Sequence, residues 1–481
     1  MGKDVYDELM ELLGWEPEEA RDFKPELKEG LKKLLVQPED VKLAVKERLP
    51  KYFTLDSPGM RWLLRIWLRD FVRLGCPTPE EKDRNLLIGG IFPNVAMLQC
   101  LPFKVADPAI QIHATDWVAD HVGEVFFHVG WKYAEAAERA GVGIEQISCS
   151  LNKMRIGLHV LGIIPPSIQV IGRCLCDDAP NSAELINTLD GSKSSIAVRV
   201  RDTGFEAEMF EPLADEYFAK SLERSIHEVE GWTGVKITPQ IQAECVKNMF
   251  KCFQAMTKVI EFFKEDPVPL NGNDSVLFNL PLVCPLDVLA PDYMEYYDCL
   301  NMIANDCKER VDKGIGVVPK GTPRIASTII VPFGQPDLVP MFHEAGCSFD
   351  FSSGALITKK IGADTTRALM NENLYKAFAE YYCAGEIVLN DVASMHRTQM
   401  DQTREFKIDG WFQGLYRPCR CLIQHHYILS KWMEKEGIPS IAPSCDLYMD
   451  RDYPPEKMRT MIETFAEVVK RSKAEKEKKQ G

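Results

Sequence analysis

Cys149, Cys176 and Cys419 each fall where an apolar, strand-like run gives way to a helical pattern. A helix N-terminus carries partial positive charge, so it favours a thiolate or an anionic sulfide cluster. Three thiolates converging on one point, with a fourth ligand position free, suit an open iron–sulfur site. Two of the three have a second cysteine two residues away, in Cys174-Leu175-Cys176 and Cys419-Arg420-Cys421. Alternate residues of an extended segment point to opposite faces, so such a pair can serve two adjacent metals. Paired CxxC motifs of a zinc ribbon are absent, and so is the CxxCxxC run of a ferredoxin. Spacing alone leaves open the alternative that each cysteine is a small buried apolar residue.

The elements that must position these residues follow from the apolar pattern. Ile168-Gln169-Val170-Ile171, bounded by Pro165-Pro166 and Gly172, reads as a strand, with a helix expected from near Asn181-Ser182. Asp409 to Tyr416 reads as a strand and Leu422 to Glu436 as the helix after Cys419. Further strands are expected at Leu86–Ile88, Ile196–Val200, Arg324–Val331 and Ile438–Ile441, and helices at Asp116–Ala140 and Pro455–Lys470. Between them, Asp215–Glu230, Thr238–Lys264 and Pro291–Asp312 have helical period and no strand signal. The first 85 residues are helical too, with Val5, Leu9, Leu12 and Leu13 at helical spacing and an amphipathic run from Trp62 to Val72. The fold expected is α/β, with two doubly wound parallel-sheet (Rossmann/flavodoxin-like) domains at 86–214 and 316–475. A helical subdomain at 215–315 links them. An N-terminal helical extension spans 1–85, packing on the main body or on a partner, and a charged tail spans 476–481. In such sheets ligands bind beyond the C-terminal ends of the strands, which is where the cysteines fall.

The bulk numbers narrow the function classes. The chain has 481 residues, 45% of them hydrophobic, enough for two or three cores. Its net charge is −14 and no basic stripe stands out, which argues against nucleic acid. It has neither an apolar run long enough to span a membrane nor a signal-peptide pattern, so a cytoplasmic location away from membranes is expected. Fifteen cysteines in a reducing compartment are not a disulfide framework. Cys245, Cys252 and Cys299 lie in helical patterns and read as buried apolar residues. Gly89-Gly90 and Gly314-Ile315-Gly316 are not phosphate loops, and no GxxxxGK[ST] occurs, so the chain is not itself an ATPase.

The C-terminal part resembles a known family. Asp409-Gly410-Trp411, then Arg417-Pro418-Cys419, Gly437-Ile438-Pro439 and Cys445-Asp446-Leu447-Tyr448-Met449-Asp450 resemble the 2-hydroxyacyl-CoA dehydratase and ATP-dependent (class I) benzoyl-CoA reductase family, which includes double-cubane cluster proteins. Cys149 followed by Gly157, and Pro166 followed by Cys176, fall at the family's other cysteine positions. Trp232-Thr233-Gly234-Val235-Lys236-Ile237-Thr238 and Pro269-Leu270-Asn271-Gly272 resemble its helical part. The resemblance covers residues 86 to about 475. It implies a [4Fe-4S] cluster held by Cys149, Cys176 and Cys419, and a related second subunit in a hetero- or homodimer. It also implies an ATP-hydrolysing iron–sulfur activator protein that delivers one low-potential electron. The substrate implied is an acyl-CoA thioester, dehydrated at a 2-hydroxy group (a lyase) or reduced at an aromatic ring (an oxidoreductase), under anaerobic conditions.

Cys174 and Cys421 are additional to those three positions, and Cys383 and Cys445 lie in segments near the same cleft. Cys149, Cys174, Cys176, Cys419, Cys421 and one of Cys383 or Cys445 would supply the six thiolates of a double-cubane [8Fe-9S] cluster, and with it a small-molecule reductase. A non-catalytic electron-relay or scaffold subunit is the remaining alternative. Arg417 and Arg420 flank Cys419 and are placed to offset cluster charge. Of the pair His425-His426, read as lying on a helix surface, His425 is the candidate proton donor, with Arg417 the second catalytic candidate. Glu386 is a weaker acid–base candidate, and His343-Glu344 reads as the opening of a helix.

Overall fold

A computed structural model describes residues 4–77, 86–89, 96–142, 148–172, 178–198, 207–282, 284–328, 334–352, 374–376, 379, 392–416, 419, 423–446, 449 and 453–480. It is a mixed α/β chain, mostly helical, with parallel sheets. Strands β1 (Leu86–Gly89), β2 (Gln111–His113), β3 (Ile168–Ile171) and β4 (Lys193–Ile196) form one four-stranded sheet in the order β2-β1-β3-β4. Strands β5 (Arg324–Ser327), β6 (Ser348–Ser352), β7 (Gly410–Phe412) and β9 (Ser440–Ile441) form a second, in the order β6-β5-β7-β9. Every pair in both is parallel, and in both the first strand in sequence lies inside the second. Two further short strands, β8 (Leu415–Tyr416) and β10 (Ser444–Cys445), pair in parallel with each other.

β4 and β9, each at one edge of its sheet, are partly exposed, whereas β2, β3, β5, β6 and β7 are buried along their whole length, as parallel strands covered by helices must be. Polar residues inside them therefore need partners. Gln169 of β3 donates to Ser167 Oγ at 2.5 Å, and Arg324 of β5 pairs with Asp350 of β6 at 2.5 Å.

Several expected elements differ in detail. The strand expected at Ile196–Val200 is instead Lys193–Ile196, and the run 409–416 is split into β7 and β8. Asp116–Ala140 is not one helix. It consists of Thr115–Val118, a π-helical stretch Ala119–Glu124, and a separate helix Gly130–Arg139. The break comes where His128 takes a left-handed backbone (φ 56°). The helix expected at Pro455–Lys470 runs on to Gln480 through the charged tail, whose Lys, Glu and Gln residues are good helix formers. His343 and Glu344 close the Leu338–Glu344 helix and do not open one.

The N-terminal extension packs on the main body. Its Pro58–Gly75 helix starts at Ser57, whose hydroxyl accepts from Met60 N at 3.1 Å and donates to Asp306 Oδ2 at 2.6 Å. The helix lies so close to the Met294–Asp312 helix that a Cβ on Gly59 would come within 2.6 Å of Ile303 N. Trp67 is fully buried and donates to Leu277 O at 3.2 Å. The extension thus belongs to one continuous apolar core with both sheets. Segment 207–312 is helical as expected, in Ala207–Thr233, Pro239–Glu261, Gly272–Asn279 and Met294–Asp312, with no strand among its described residues. Gly59→Ala should destabilise the whole chain by about 1–3 kcal/mol, since backbone must move to admit the methyl. Urea unfolding, followed at tryptophan and by far-UV circular dichroism, is expected to shift as one transition, not to shed the extension alone.

Candidate functional site

Cys149 is the residue immediately before the Ser150–Val160 helix, with an extended backbone (φ −60°, ψ 137°). Its turn is held by a carboxylate from the first turn of the next helix, Asp178–Asp190. Asp178 accepts from Cys149 N at 2.7 Å, from Asn152 Nδ2 at 2.6 Å and from Ser148 Oγ at 2.9 Å. Gly157, two turns on, lets the same helix press onto the Gly130–Arg139 helix. An added Cβ there would sit 1.8 Å from Tyr133 O, a place no side chain can occupy.

Cys419 lies three residues beyond β8, just before the Ile423–Lys435 helix. It comes close enough to Cys149 for its charge to be felt there. The Cys149 thiol is pushed well above its ordinary range, first by burial, then by the charges of Asp178, Cys419 and Asp446, against one opposing hydrogen bond from Leu151 N. Cys149 and Cys419 are half-buried. Seven other described cysteines, Cys100, Cys245, Cys252, Cys284, Cys299, Cys307 and Cys347, are buried in the core, and Cys76 lies half-buried in the extension. Core burial was the expectation for Cys245, Cys252 and Cys299.

A second tie joins the two sheets' ends. The Ser150 hydroxyl donates to Asp446 Oδ2, and Asp446 is buried just after β10. Cys445 of β10 is in register with Tyr416 of β8, so its backbone runs beside the strand that leads to Cys419. Sequence reasoning did not single out Ser150 or Asp178. The signal available for Asp178 was the acid pair Asp177-Asp178 at a helix start, where negative charge is favoured.

Cys174, Cys176, Cys383, Cys421, Arg417, Arg420 and Glu386 lie outside the described residues. Among the described residues no three His, Cys, Asp or Glu side chains surround a common metal position. His425 is half-buried in the first turn of the Ile423–Lys435 helix. His426 departs from the expected surface position. It is fully buried, its Nδ1 donates to Gly414 O, and burial lowers it to about 4. It is therefore neutral at pH 7 and holds the turn before β8.

The family model for the 2-hydroxyglutaryl-CoA dehydratase D-component matches residues 108–469. The chain belongs to this family. No curated protein matches it at significant similarity. The family points to a component of a 2-hydroxyacyl-CoA dehydratase-type enzyme. Within the matched region, the recurring non-cysteine motifs prove to be architectural. Asp409 Oδ2 accepts from Arg324 N at 2.9 Å and Lys473 Nζ at 3.2 Å, and a Cβ on Gly410 would meet Val469 at 2.8 Å. Gly437 (φ 73°) ends the Ile423–Lys435 helix, and Asn271 caps the Gly272–Asn279 helix. Among the described residues no helix is long and apolar enough to cross a membrane.

Asp178→Ala removes the acceptor for three donors and should cost about 1–3 kcal/mol, with Cys149 and Cys419 drifting apart. Crosslinking of the two thiols by a short bis-thiol reagent is the check, with the yield expected to fall severalfold. For His426 the sign follows from a folded value near 4 below an unfolded value of about 6.5. Below about pH 6.5 the unfolded chain binds a proton that the folded chain refuses, so stability is lost as pH falls from 6.5 toward 4. His426→Gln should make urea stability against pH shallower there by up to about one proton.

Proposed function

We propose that the chain is the iron–sulfur component of an ATP-activated, low-potential enzyme that dehydrates or reduces an acyl-CoA thioester. The observation that carries this reading is the juxtaposition of Cys149 and Cys419, each just before a helix, in a chain of the dehydratase D-component family. We read each four-stranded sheet with its helices as a doubly wound domain, which puts both cysteines beyond strand ends on facing sides of a cleft.

The residues fit a cluster. A free thiol at Cys149 is held neutral by burial and by three negative neighbours, so it becomes a thiolate only when a metal supplies the compensating charge. Cys149, Cys176 and Cys419 would hold the group. A [4Fe-4S] cluster bound there supplies one-electron transfer and an open iron that acts as a Lewis acid. The chain's own part is to place and neutralise charge. The Ser150–Val160 helix directs its N-terminal amides at Cys149. Arg417 adds positive charge beside Cys419, and His425 supplies a proton to the departing group. Asp178 and Asp446 fix the two turns so the thiols keep their separation while charge changes.

The absence of a phosphate-binding loop supports a separate ATP-hydrolysing activator, and the family's component name supports a related second subunit. One observation favours a second reading. The backbone of Cys445 runs beside the strand leading to Cys419, which favours Cys445 over Cys383 as the sixth ligand of a double-cubane [8Fe-9S] reductase, with Cys149, Cys174, Cys176, Cys419 and Cys421.

Anaerobic purification with iron and acid-labile sulfide analysis separates these. About four irons per chain support the single cluster, about eight the double cubane. No iron under strict exclusion of oxygen would sink both and leave a scaffold subunit. Cys149→Ser and Cys419→Ser should each lose most of the iron while keeping the far-UV spectrum.

A further inference from the structure

Behind the Cys149 turn lies a group of acids that the proposed chemistry leaves unused. The π-helical stretch Ala119–Glu124 is buried over all six residues. Such a turn is rare and often found at functional sites. It points Asp120 and Glu124 inward, both essentially inaccessible to solvent. Neither carboxyl oxygen of Asp120 accepts a hydrogen bond. Its near neighbours are acids, Glu124 on its own turn and Asp446 from the end of β10. His121 Nδ1 lies 3.1 Å away without hydrogen-bond alignment.

Other charged groups on the packed elements are committed elsewhere. Asp70, from the Pro58–Gly75 helix, faces His113 at 3.1 Å and Val288 N at 3.2 Å. Arg155, from the Ser150–Val160 helix, pairs with Asp116 at 3.4 Å and donates to Ser182. Tyr133, from the Gly130–Arg139 helix, donates to Leu34 O. Among the described residues no lysine or arginine reaches Asp120. A buried carboxylate with no donor, no cation and two acidic neighbours is too costly to keep ionised. The remaining escape is a proton.

On its other side Glu124 reaches toward solvent. Glu124 Oε1 is 2.8 Å from His128 Nδ1, and Glu124 Oε2 accepts from Trp131 N at 3.2 Å. The His128 side chain is about one third exposed, at 32%. Its left-handed backbone is strained for a non-glycine residue, and such strain gathers at functional positions.

We propose that Asp120 is a proton store for the cysteine site, refilled from solvent through His128 and Glu124 and facing the Ser150–Asp446 contact one residue from Cys149. The step moves one proton and no electrons. Asp120 gives up a proton as the reduction consumes one and becomes a carboxylate. A His128 imidazolium then passes a proton to Glu124 and on to Asp120, and His128 is recharged by hydronium from bulk water. Asp446 stays the acceptor of the Ser150 hydroxyl throughout. Burial, with Glu124 and Asp446 facing it, pushes Asp120 well above the usual carboxylate range. Burial also drives His121 down to about 3, so it stays neutral and offers no counter-charge. As a use for the proton the proposal rests on the function proposed above, but the protonated state itself requires neither iron nor substrate.

Infrared difference spectroscopy of the full-length protein against Asp120→Asn at pH 7 tests the store. The native chain should show a protonated-carboxyl C=O band, shifted in D2O, that the variant lacks. Differences confined to the carboxylate region would overturn the proposal. Should Asp120→Asn fail to fold, Asp120→Glu is expected to keep the band at a displaced frequency, and its disappearance there would count against the store. His128→Gln should leave the band but slow its hydrogen–deuterium exchange at least severalfold, whereas unchanged exchange would overturn the refilling route. Iron content, measured in parallel, is expected to be unchanged in all three variants. Its loss from the native protein would count against the cluster and leave the band's outcome standing.

Discussion

Asp178 is the acceptor on which the Cys149 turn depends. Its two oxygens take the Cys149 amide, the Ser148 hydroxyl and the Asn152 side chain, and so tie the start of the Ser150–Val160 helix to the start of the Asp178–Asp190 helix. Without it the residues before the Ser150–Val160 helix have backbone donors and no fixed partner. Burial and this same carboxylate raise the Cys149 thiol, so it stays neutral. One group thus holds Cys149 in position and helps set its charge state. The Ser150–Asp446 hydrogen bond does the corresponding work across the cleft.

Close packing fixes glycine at several positions of the matched region. Gly157 admits the Tyr133 carbonyl, Gly272 admits the ring and carbonyl of Phe349, and Gly410 admits the side chains of Val469, Ile325 and Phe465. At Gly157 and Gly272 a methyl group would overlap backbone or a rigid ring. The helices and strands that carry the cysteines are therefore seated by direct backbone approach, and their registers cannot slide by a residue without a clash.

Apolar runs beside Pro or Gly made β1, β3, β7 and β9 legible in sequence, and Cys419 does lie three residues beyond β8, whereas Cys149 comes after the Gly130–Arg139 helix and follows none of these strands. β2, β6 and β10 were not, and β2 (Gln111–His113) and β6 (Ser348–Ser352) carry polar residues where a buried strand should be apolar. Asp350 belongs there only because Arg324 lies opposite it, a pairing between distant residues that periodicity cannot report. His426 was misread for the same reason, since the Gly414 carbonyl that buries it comes from outside its helix. The acids of the π-turn were invisible because the Asp116–Ala140 pattern reads as one amphipathic helix. The extra residue in the turn, which rotates Asp120 inward, leaves no trace in composition.

The extension is part of the same construction. It lies almost wholly before the matched region, which begins at residue 108, yet Trp67 stacks on His121 at 5.2 Å and Asp70 takes His113. Thr54 donates through its backbone to Asp274 at 3.1 Å, and that buried carboxyl, raised to about 6 chiefly by burial, also accepts from Asn271 N at 3.0 Å. These partners are charged or polar groups of the family core. Exposed to water they would need no partner, but buried they do. Removing the extension would therefore do more than bare an apolar face. It would take Asp70 from His113 and Thr54 from Asp274, and it would open the back of the π-turn to water. The buried acids beside Cys149 keep their surroundings only while the first 77 residues stay in place, so the site's electrostatics are set as much by the extension as by the family fold.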